Sequence, residues 1–301
     1  MKFSIVIPSW NNFNYLKICI NSIKKNSNFD HDINIHINEG TDGSIDFVKS
    51  NDLKFNYSSK NIGLCSAANS AATLAETDYI IYSHDDMYFL PNWDLYLIEE
   101  VKKIKSNLYY FSGTAIGPIG SGLQHKPTKD FTKEEFNNFD FNCGLTHETF
   151  DEKKLLENYK KVEYFDHQGT HWAPHLIHKT LWNKIGGFSP EFNPGFASDT
   201  DLNMKLWDNG VRIFKGINNF RVYHFGSISL RKKPGLKKNK GNKLFLAKWG
   251  ISSDLFLNHY IKSNTVYKNP LPDKPKITLN YIIELISCKT KYIFFKLFSI
   301  L

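Results

Sequence analysis

Through the first hundred residues, short apolar runs rich in β-branched residues alternate with segments of helical period, and no other feature constrains the fold as strongly. "KFSIVIPSWNN" reads as a buried strand stopped by Pro and Asn. "FNYLKICINSIKKN" then sets Leu16, Cys19, Ile20 and Ile23 at the spacing of one helix face. "DINIHINEGTDGS" alternates Ile33, Ile35 and Ile37 before breaking into a Glu-Gly-Asp turn; "SIDFVKSN" is helical and "KFNYSS" a short strand. "NIGLCSAANSAATLAET" is rich in small residues and helical, and it leads into the strand "DYIIYSHDD". Such alternation predicts an α/β fold with a mostly parallel central sheet and helices on both faces. In such sheets ligands bind beyond the carboxyl ends of the strands. Pro8-Ser9, Glu39 and Asp85-Asp86 all fall at those ends, so three strands deliver polar groups to one edge.

From about residue 107 to 170 the pattern weakens. "SGTAIGPIGSG" reads as a flexible connection, and "KDFTKEEFNNFDFN" as an insertion or acceptor-side element. Order returns at "THWAPHLIHKTLWNKIGGFSPEF". "DTDLNMKLWDNG" is a helix stopped by Asn209-Gly210, and two strand-like runs follow, "VRIFKG" and "FRVYHFG". The final "LNYIIELISCKTKYIFFKLFSIL" is apolar but interrupted by Glu284, Lys289, Lys291 and Lys296. It is either a helix docked on the domain or an interfacial helix whose lysines meet anionic lipid headgroups.

With 301 residues, 41% hydrophobic and 23% charged, the chain has ample length for a buried core and lacks the composition of a disordered one. Its formal charge is +8, but seven Lys/Arg and no acid lie between Arg231 and Lys243. A nucleic-acid binder would more often spread that charge over a face, so no nucleic-acid partner is expected. The basic segment is either a solvated loop or a mobile strip that meets phosphate. Cys19, Cys65, Cys143 and Cys288 are far apart and show no CxxC spacing, which argues against a zinc site and a disulfide framework. Neither a signal h-region nor a stretch of roughly 18 apolar residues is present. The expected location is the cytoplasm, at the inner face of the cytoplasmic membrane if the last helix is interfacial.

The adjacent carboxylates of Asp85 and Asp86 repel one another and resist desolvation, so something must compensate for them. Oxygen ligands at a strand end are well placed to hold a divalent cation. In "SDTD", Asp201 reads mainly as a cap or helix-dipole partner. Asp199, one step outside, has the same structural reading and a second one, a general base facing the cleft. His224 ends "FRVYHFG" and is either structural or an imidazole completing a metal shell.

In order, these pieces resemble the inverting family 2 nucleotide-sugar glycosyltransferases of the GT-A fold. "SIVIPSWNNFNYLKICINSI" is similar to that family's first strand and helix, and "INEGTDGSID" to its acidic turn after the second strand. "NIGLCSAANSAATLAETDYIIYSHDDM" is similar to its Asn-x-Gly helix and the strand bearing its metal motif. "GGFSPEFNPGFASDTDLNMKLWDNGVRI" resembles the block that supplies the base, and "VYHFGSIS" its late His. The resemblance covers roughly residues 3–100 and 168–228. It implies a GT-A domain over 1–228, with a nucleotide-binding half (1–106) and an acceptor and base half (107–228). A basic loop and C-terminal helical extension would occupy 229–301.

Carried over by position, Pro8, Trp10, Glu39 and Asn61 would hold the nucleotide, with Asp85 nearer the ribose. Asp86 and His224 would bind Mn²⁺ or Mg²⁺ on the diphosphate, and Asp199 would deprotonate the acceptor hydroxyl. The donor would be a nucleotide sugar, with UDP favoured. The acceptor would be a glycan or lipid-linked saccharide of a cell-surface polysaccharide, and the basic segment would close over the diphosphate. The chain departs from the family pattern in having Glu39 where Asp is frequent, Ala68-Asn69 where Arg-Asn is frequent, and Ser198 where an acid is frequent. The competing classes are a catalytically silent sugar-nucleotide binder and a nucleic-acid-binding or nucleotidyl-transfer protein. A steep salt dependence of nucleic-acid binding would mark the latter.

Overall fold

Strand β1 (Ser4–Trp10) is buried along almost its whole length, as expected of an interior strand flanked on both sides. It pairs in parallel with β2 (Asp32–Asn38) and β4 (Tyr79–Tyr82), and β2 pairs in parallel with β3 (Lys54–Ser58). The coordinates, a computed structural model, describe residues 1–117, 143–161, 165–169, 172–226, 240–263 and 265–298. The remaining strands are β5 (Met87–Phe89), β6 (Tyr109–Ile116), β7 (His167–Gln168), β8 (His175–His178), β9 (Ile213–His224) and β10 (Thr265–Val266). They extend the sheet in the order β10-β7-β9-β6-β8-β4-β1-β2-β3, with β5 laid against β9. Among the described strands only β5, β7 and β8 oppose the common direction, so the sheet is mostly parallel, in line with the sequence. The carboxyl ends of β1, β2, β4 and β9 therefore open on one edge.

Helix α1 (Phe13–Asn26) buries Leu16, Cys19, Ile20 and Ile23, the face its spacing predicts, together with Tyr15. Lys24 and Lys25 stand in its last turn, where cations favour the helix dipole. Helix α2 (Ser44–Ser50) follows β2, and α3 (Leu64–Ala72) follows β3. The buried face of α3 is Cys65, Ala67, Ala68, Ala71 and Ala72, small side chains that let the helix lie close over β1 and β2. Helix α4 (Trp93–Lys102) packs on β9, with Trp93 fully buried. The four cysteines are buried thiols, none in a disulfide.

Two sequence expectations fail in the second half. "SGTAI" belongs to β6, a fully buried strand paired with both β8 and β9. Its Ser, Gly and Thr look loop-like but suit close neighbours: the Gly113 amide donates to the Pro174 carbonyl (2.8 Å) and Thr114 Oγ1 to the Ile217 carbonyl (3.1 Å). "VRIFKG" and "FRVYHFG" form one strand, β9, because the turn-like residues between them are absorbed as an irregularity against Gly113/Thr114. The polar "KDFTKEEFNNFDFN" segment and most of the basic stretch from Arg231 lie outside the described residues.

The C-terminal helix Leu279–Phe298 packs through Tyr281, Leu285, Cys288, Tyr292 and Phe295 and leaves its opposite side in water. Among the described residues no helix is long and apolar enough to cross a membrane.

Candidate active site

The chain turns sharply after β4, and β5 then runs back antiparallel to β9 with Met87 opposite His224. This pairing, reinforced by the Phe225 amide donating to the Asp86 carbonyl (3.1 Å), brings His224 to the Asp-Asp turn across a long sequence separation. His224 Nε2 lies 3.1 Å from Asp86 Oδ1, and His84 Nδ1 lies 4.0 Å from the same oxygen. One ligand atom from each of His84, Asp86 and His224 lies within 4.8 Å of the others. Nε2 of His84 is buried without a hydrogen-bond partner among the described residues. Burial, opposed by the charge of Asp86 and aided by His224, pushes His84 down to about 4, so it is a neutral imidazole with a lone pair to offer. Two imidazoles and a carboxylate, one nitrogen orphaned, fit a divalent transition metal ion.

Asp85 points elsewhere. Its carboxylate accepts from Ser9 Oγ (2.6 Å) in β1 and from Asn12 Nδ2 (3.0 Å) at the start of α1. Burial first, and then the charge of Asp86, raise its pKa, while the two hydrogen bonds oppose the rise. The two adjacent acids are thus split by environment: one is tied to β1 and the other belongs to the imidazole cluster.

The nucleotide-side candidates gather at the ends of β1 and β2. Pro8 is buried in β1 opposite His36, and Trp10 stands half-buried at the strand end opposite Asn38. Glu39 adopts a left-handed backbone (φ 62°), a conformation that costs a non-glycine residue about 1–2 kcal/mol. It is held there by its amide donating to the Ser58 carbonyl (2.9 Å), while its carboxylate accepts from Asn11 Nδ2 (2.9 Å). Asn11 also accepts from the Thr41 amide (2.9 Å), locking the two strand-end loops together. Asn61 uses its side-chain oxygen to accept from the Gly63 amide (2.8 Å), fixing the turn into α3. Ala68 is fully buried, which leaves no room for a long cation at that position.

The acidic block after Gly186-Gly187 forms the other wall. Asn69 donates to the Phe188 carbonyl (2.7 Å) and accepts from its amide (2.8 Å), tying the block to α3. Asn193 caps α3 from the same block: its oxygen accepts from the Cys65 amide (2.9 Å) and its nitrogen donates to Ser66 Oγ (2.8 Å). The helix Ser198–Asp208 starts after Ala197, which like Glu39 is a left-handed non-glycine (φ 62°). Asp199 stands in the first turn of that helix, and its Oδ1 is buried without a hydrogen-bond partner among the described residues. The residue keeps partial solvent access, yet burial alone raises its carboxyl from 3.8 to about 7.

Asp201 behaves differently from a cap. It is fully buried, accepting from Ser189 Oγ (2.6 Å) and Trp249 Nε1 (2.8 Å) and pairing with Lys248 (3.0 Å). The Tyr82 phenol is pushed well above its ordinary range by burial and then by the charges of Asp199, Cys65, Asp85 and Asp86. Asp199 and the Asp-Asp turn thus face a common neighbour.

The structure brings Asp86 and His224 together, sets Asp85 beside β1, gathers Pro8, Trp10 and Glu39 along one edge, and leaves Asn61 in a turn. The sequence reading missed His84 as a ligand candidate, Ser9 and Asn12 as the partners of Asp85, and Asn69 and Asn193 as the ties between the two walls. Proximity of His84 to Asp86 in the chain was the one available signal; the other partners lie 73 to 128 residues away.

The model of the family described as "Glycosyl transferase family 2" matches residues 4–173. Solved structures of similar fold include S. aureus TarS 1-349 (17% identity, TM-score 0.54, 74% of this chain and 60% of that one). TarS 1-349 in complex with UDP-GlcNAc matches with 17% identity and TM-score 0.52, over 74% of this chain and 58% of that one. GalNAc-T7 with UDP, GalNAc and Mn²⁺ matches with 16% identity and TM-score 0.52, over 74% of this chain and 44% of that one. The chain thus spans 60% or less of the length of these proteins. No curated protein sequence matches it.

Proposed function

The chain belongs to glycosyl transferase family 2, and from that premise we propose that it transfers a sugar from a nucleoside diphosphate sugar to a hydroxyl acceptor with inversion. The observation that carries this reading is a two-imidazole, one-carboxylate cluster at the sheet edge, with the Tyr82 phenol feeling the charges of both Asp86 and Asp199. A UDP-sugar is the favoured donor, because structures of similar fold hold UDP or UDP-GlcNAc. Residues 1–106 hold the donor and 107–228 the acceptor and base, with 229–301 as an extension. The acceptor is a glycan or lipid-linked saccharide of a cell-surface polysaccharide.

In this reading Glu39, Pro8, Trp10 and Asn61 line the nucleoside side, and Asp85, oriented by Ser9 and Asn12, faces the ribose. Asp86, His224 and His84 would hold a divalent cation, and such a cation would supply counter-charge to a diphosphate leaving group. Imidazole donors suit Mn²⁺ better than Mg²⁺. Asp199, whose carboxyl burial raises to about 7, accepts the acceptor hydroxyl proton through its carboxylate as that oxygen attacks the anomeric carbon from the face opposite the diphosphate. Attack from that face inverts the configuration.

Calorimetric titration of the full chain with UDP and UDP-sugars, with Mn²⁺ and after exhaustive chelation, tests the reading. Metal-dependent binding and turnover are expected. Full transfer in chelated buffer removes the metal assignment, and binding without turnover of any donor leaves a silent binder.

A further inference from the structure

The C-terminal helix Leu279–Phe298 is two-faced in a way the globular core does not use up. Tyr281, Leu285, Cys288, Tyr292 and Phe295 pack on the core, and Glu284 is held by His259 (3.2 Å). On the other side Leu279, Ile283, Ile286, Ile293 and Leu297 recur at spacings of three, four and seven and form an apolar stripe broken only by Thr290, whose hydroxyl donates back to the Ile286 carbonyl (3.0 Å). It is widely exposed: Ile283 at 57%, Ile286 at 61% and Leu297 at 72%. Isolated exposed apolar residues are ordinary, whereas a row of them along one helix face marks an interaction surface.

The borders of the stripe identify its partner. At about 100° per residue, Lys289 and Lys296 run along one border and Lys291 lies beyond the other. Lys289 and Lys296 both reach the Tyr292 ring, at 5.9 and 5.5 Å, which fixes them on the same flank. Lys274 and Lys276 are exposed just before the helix, and Glu284 is the one acid from Lys274 to Phe298. A second copy of the helix would bring lysine against lysine. An anionic bilayer accepts the apolar stripe below its headgroups and the lysines at its phosphates. The length and hydropathy of the helix do not let it cross.

We propose that the helix Leu279–Phe298 is an interfacial anchor that lies in the plane of an anionic lipid bilayer with the Leu279/Ile283/Ile286/Ile293/Leu297 stripe inserted. The inference is independent of the transferase reading. The anchor packs on the helix Gly241–Trp249, whose Lys248 and Trp249 grip Asp201, so it is tied to the wall that carries Asp199.

The test is co-sedimentation of the full chain with vesicles of neutral phosphatidylcholine and with vesicles containing phosphatidylglycerol. Binding to the anionic vesicles is expected, weakening with salt. The double variant Ile286→Glu/Ile293→Glu changes exposed positions only and should retain the parental melt while partition falls at least tenfold. Replacing Lys289, Lys291 and Lys296 by Gln should lower partition roughly fivefold per lysine, from about 1 kcal/mol per basic side chain at such a surface. Equal partition of parent and Ile286→Glu/Ile293→Glu overturns the proposal, as does binding that ignores lipid charge. A dimer in light scattering that Ile286→Glu/Ile293→Glu turns to monomer, with no vesicle binding, assigns the stripe to a second copy instead and also overturns it.

Discussion

Replacing Asp199 by Asn should make the protein more stable and nearly inactive at once. Its Oδ1 is buried and has no hydrogen-bond partner among the described residues, and burial alone moves the carboxyl from 3.8 to about 7. At about 1.4 kcal/mol per pH unit, that displacement corresponds to roughly 4 kcal/mol of destabilisation when the native carboxylate is ionised. Because the residue keeps partial solvent access, about 1–2 kcal/mol is the figure expected for removing the charge. An unfolding entropy of about 2.1 cal/mol/K per residue turns this into a rise of about 2–3 °C in Tm at pH 8. The sign follows from proton binding. Between 3.8 and about 7 the native state holds the proton and the unfolded state does not, so stability falls as pH rises through that window. The Tm gap between parent and variant should therefore close as pH drops from 8 to about 4. Turnover should fall roughly 10²–10⁴-fold, the usual scale for general base catalysis. The parent's kcat/KM should climb with pH to a plateau above about 7, and the variant should lack that limb. Calorimetric melts and initial-rate transfer across pH measure both arms. A folded variant with near-parental turnover removes the base from the mechanism. A variant less stable than the parent at pH 8 refutes the argument that uncompensated burial sets this pKa.

His84→Ala should weaken Mn²⁺ binding at least tenfold in calorimetry or Mn²⁺ electron paramagnetic resonance while leaving the melt of the metal-free protein within about 1 kcal/mol; unchanged affinity restricts the ligands to Asp86 and His224. Asp201→Asn, which leaves Lys248 without its buried partner, should lower stability by roughly 1–3 kcal/mol and reduce turnover less than Asp199→Asn. Gly63→Ala places a methyl group against the Asn193 side chain at a left-handed backbone (φ +85°), so it should loosen the cap of α3 and cost about 2 kcal/mol or more in chemical denaturation. A neutral result there would mean that Asn193 can move without releasing the helix.

The parallel half of this fold is legible in the sequence because its signals are local. Alternating Ile33, Ile35 and Ile37, the Leu16–Ile23 spacing and the small residues of α3 each report a periodicity that the backbone must obey wherever the segment sits. The strand-end positions of Glu39 and Asp85-Asp86 follow from the same periodicity, so the edge carrying the site could be placed before any coordinates. Strand β6 was misread because Ser112, Gly113 and Thr114 look like a turn locally, and only the close approach of Pro174 and Ile217 makes small side chains the right ones there. Pairing across long separations decided everything that distinguishes one acid from its neighbour. Asp85 is tied to β1 and the start of α1 because Ser9 and Asn12 reach it, Asp86 belongs to His224 because β5 lies on β9, and Asp201 is neutralised by Lys248 while Asp199 has no such partner among the described residues. A one-dimensional pattern fixes which residues share a face. The charge state of a carboxyl depends on which distant donors fold against it and how much water they exclude, and that is a property of the tertiary structure alone.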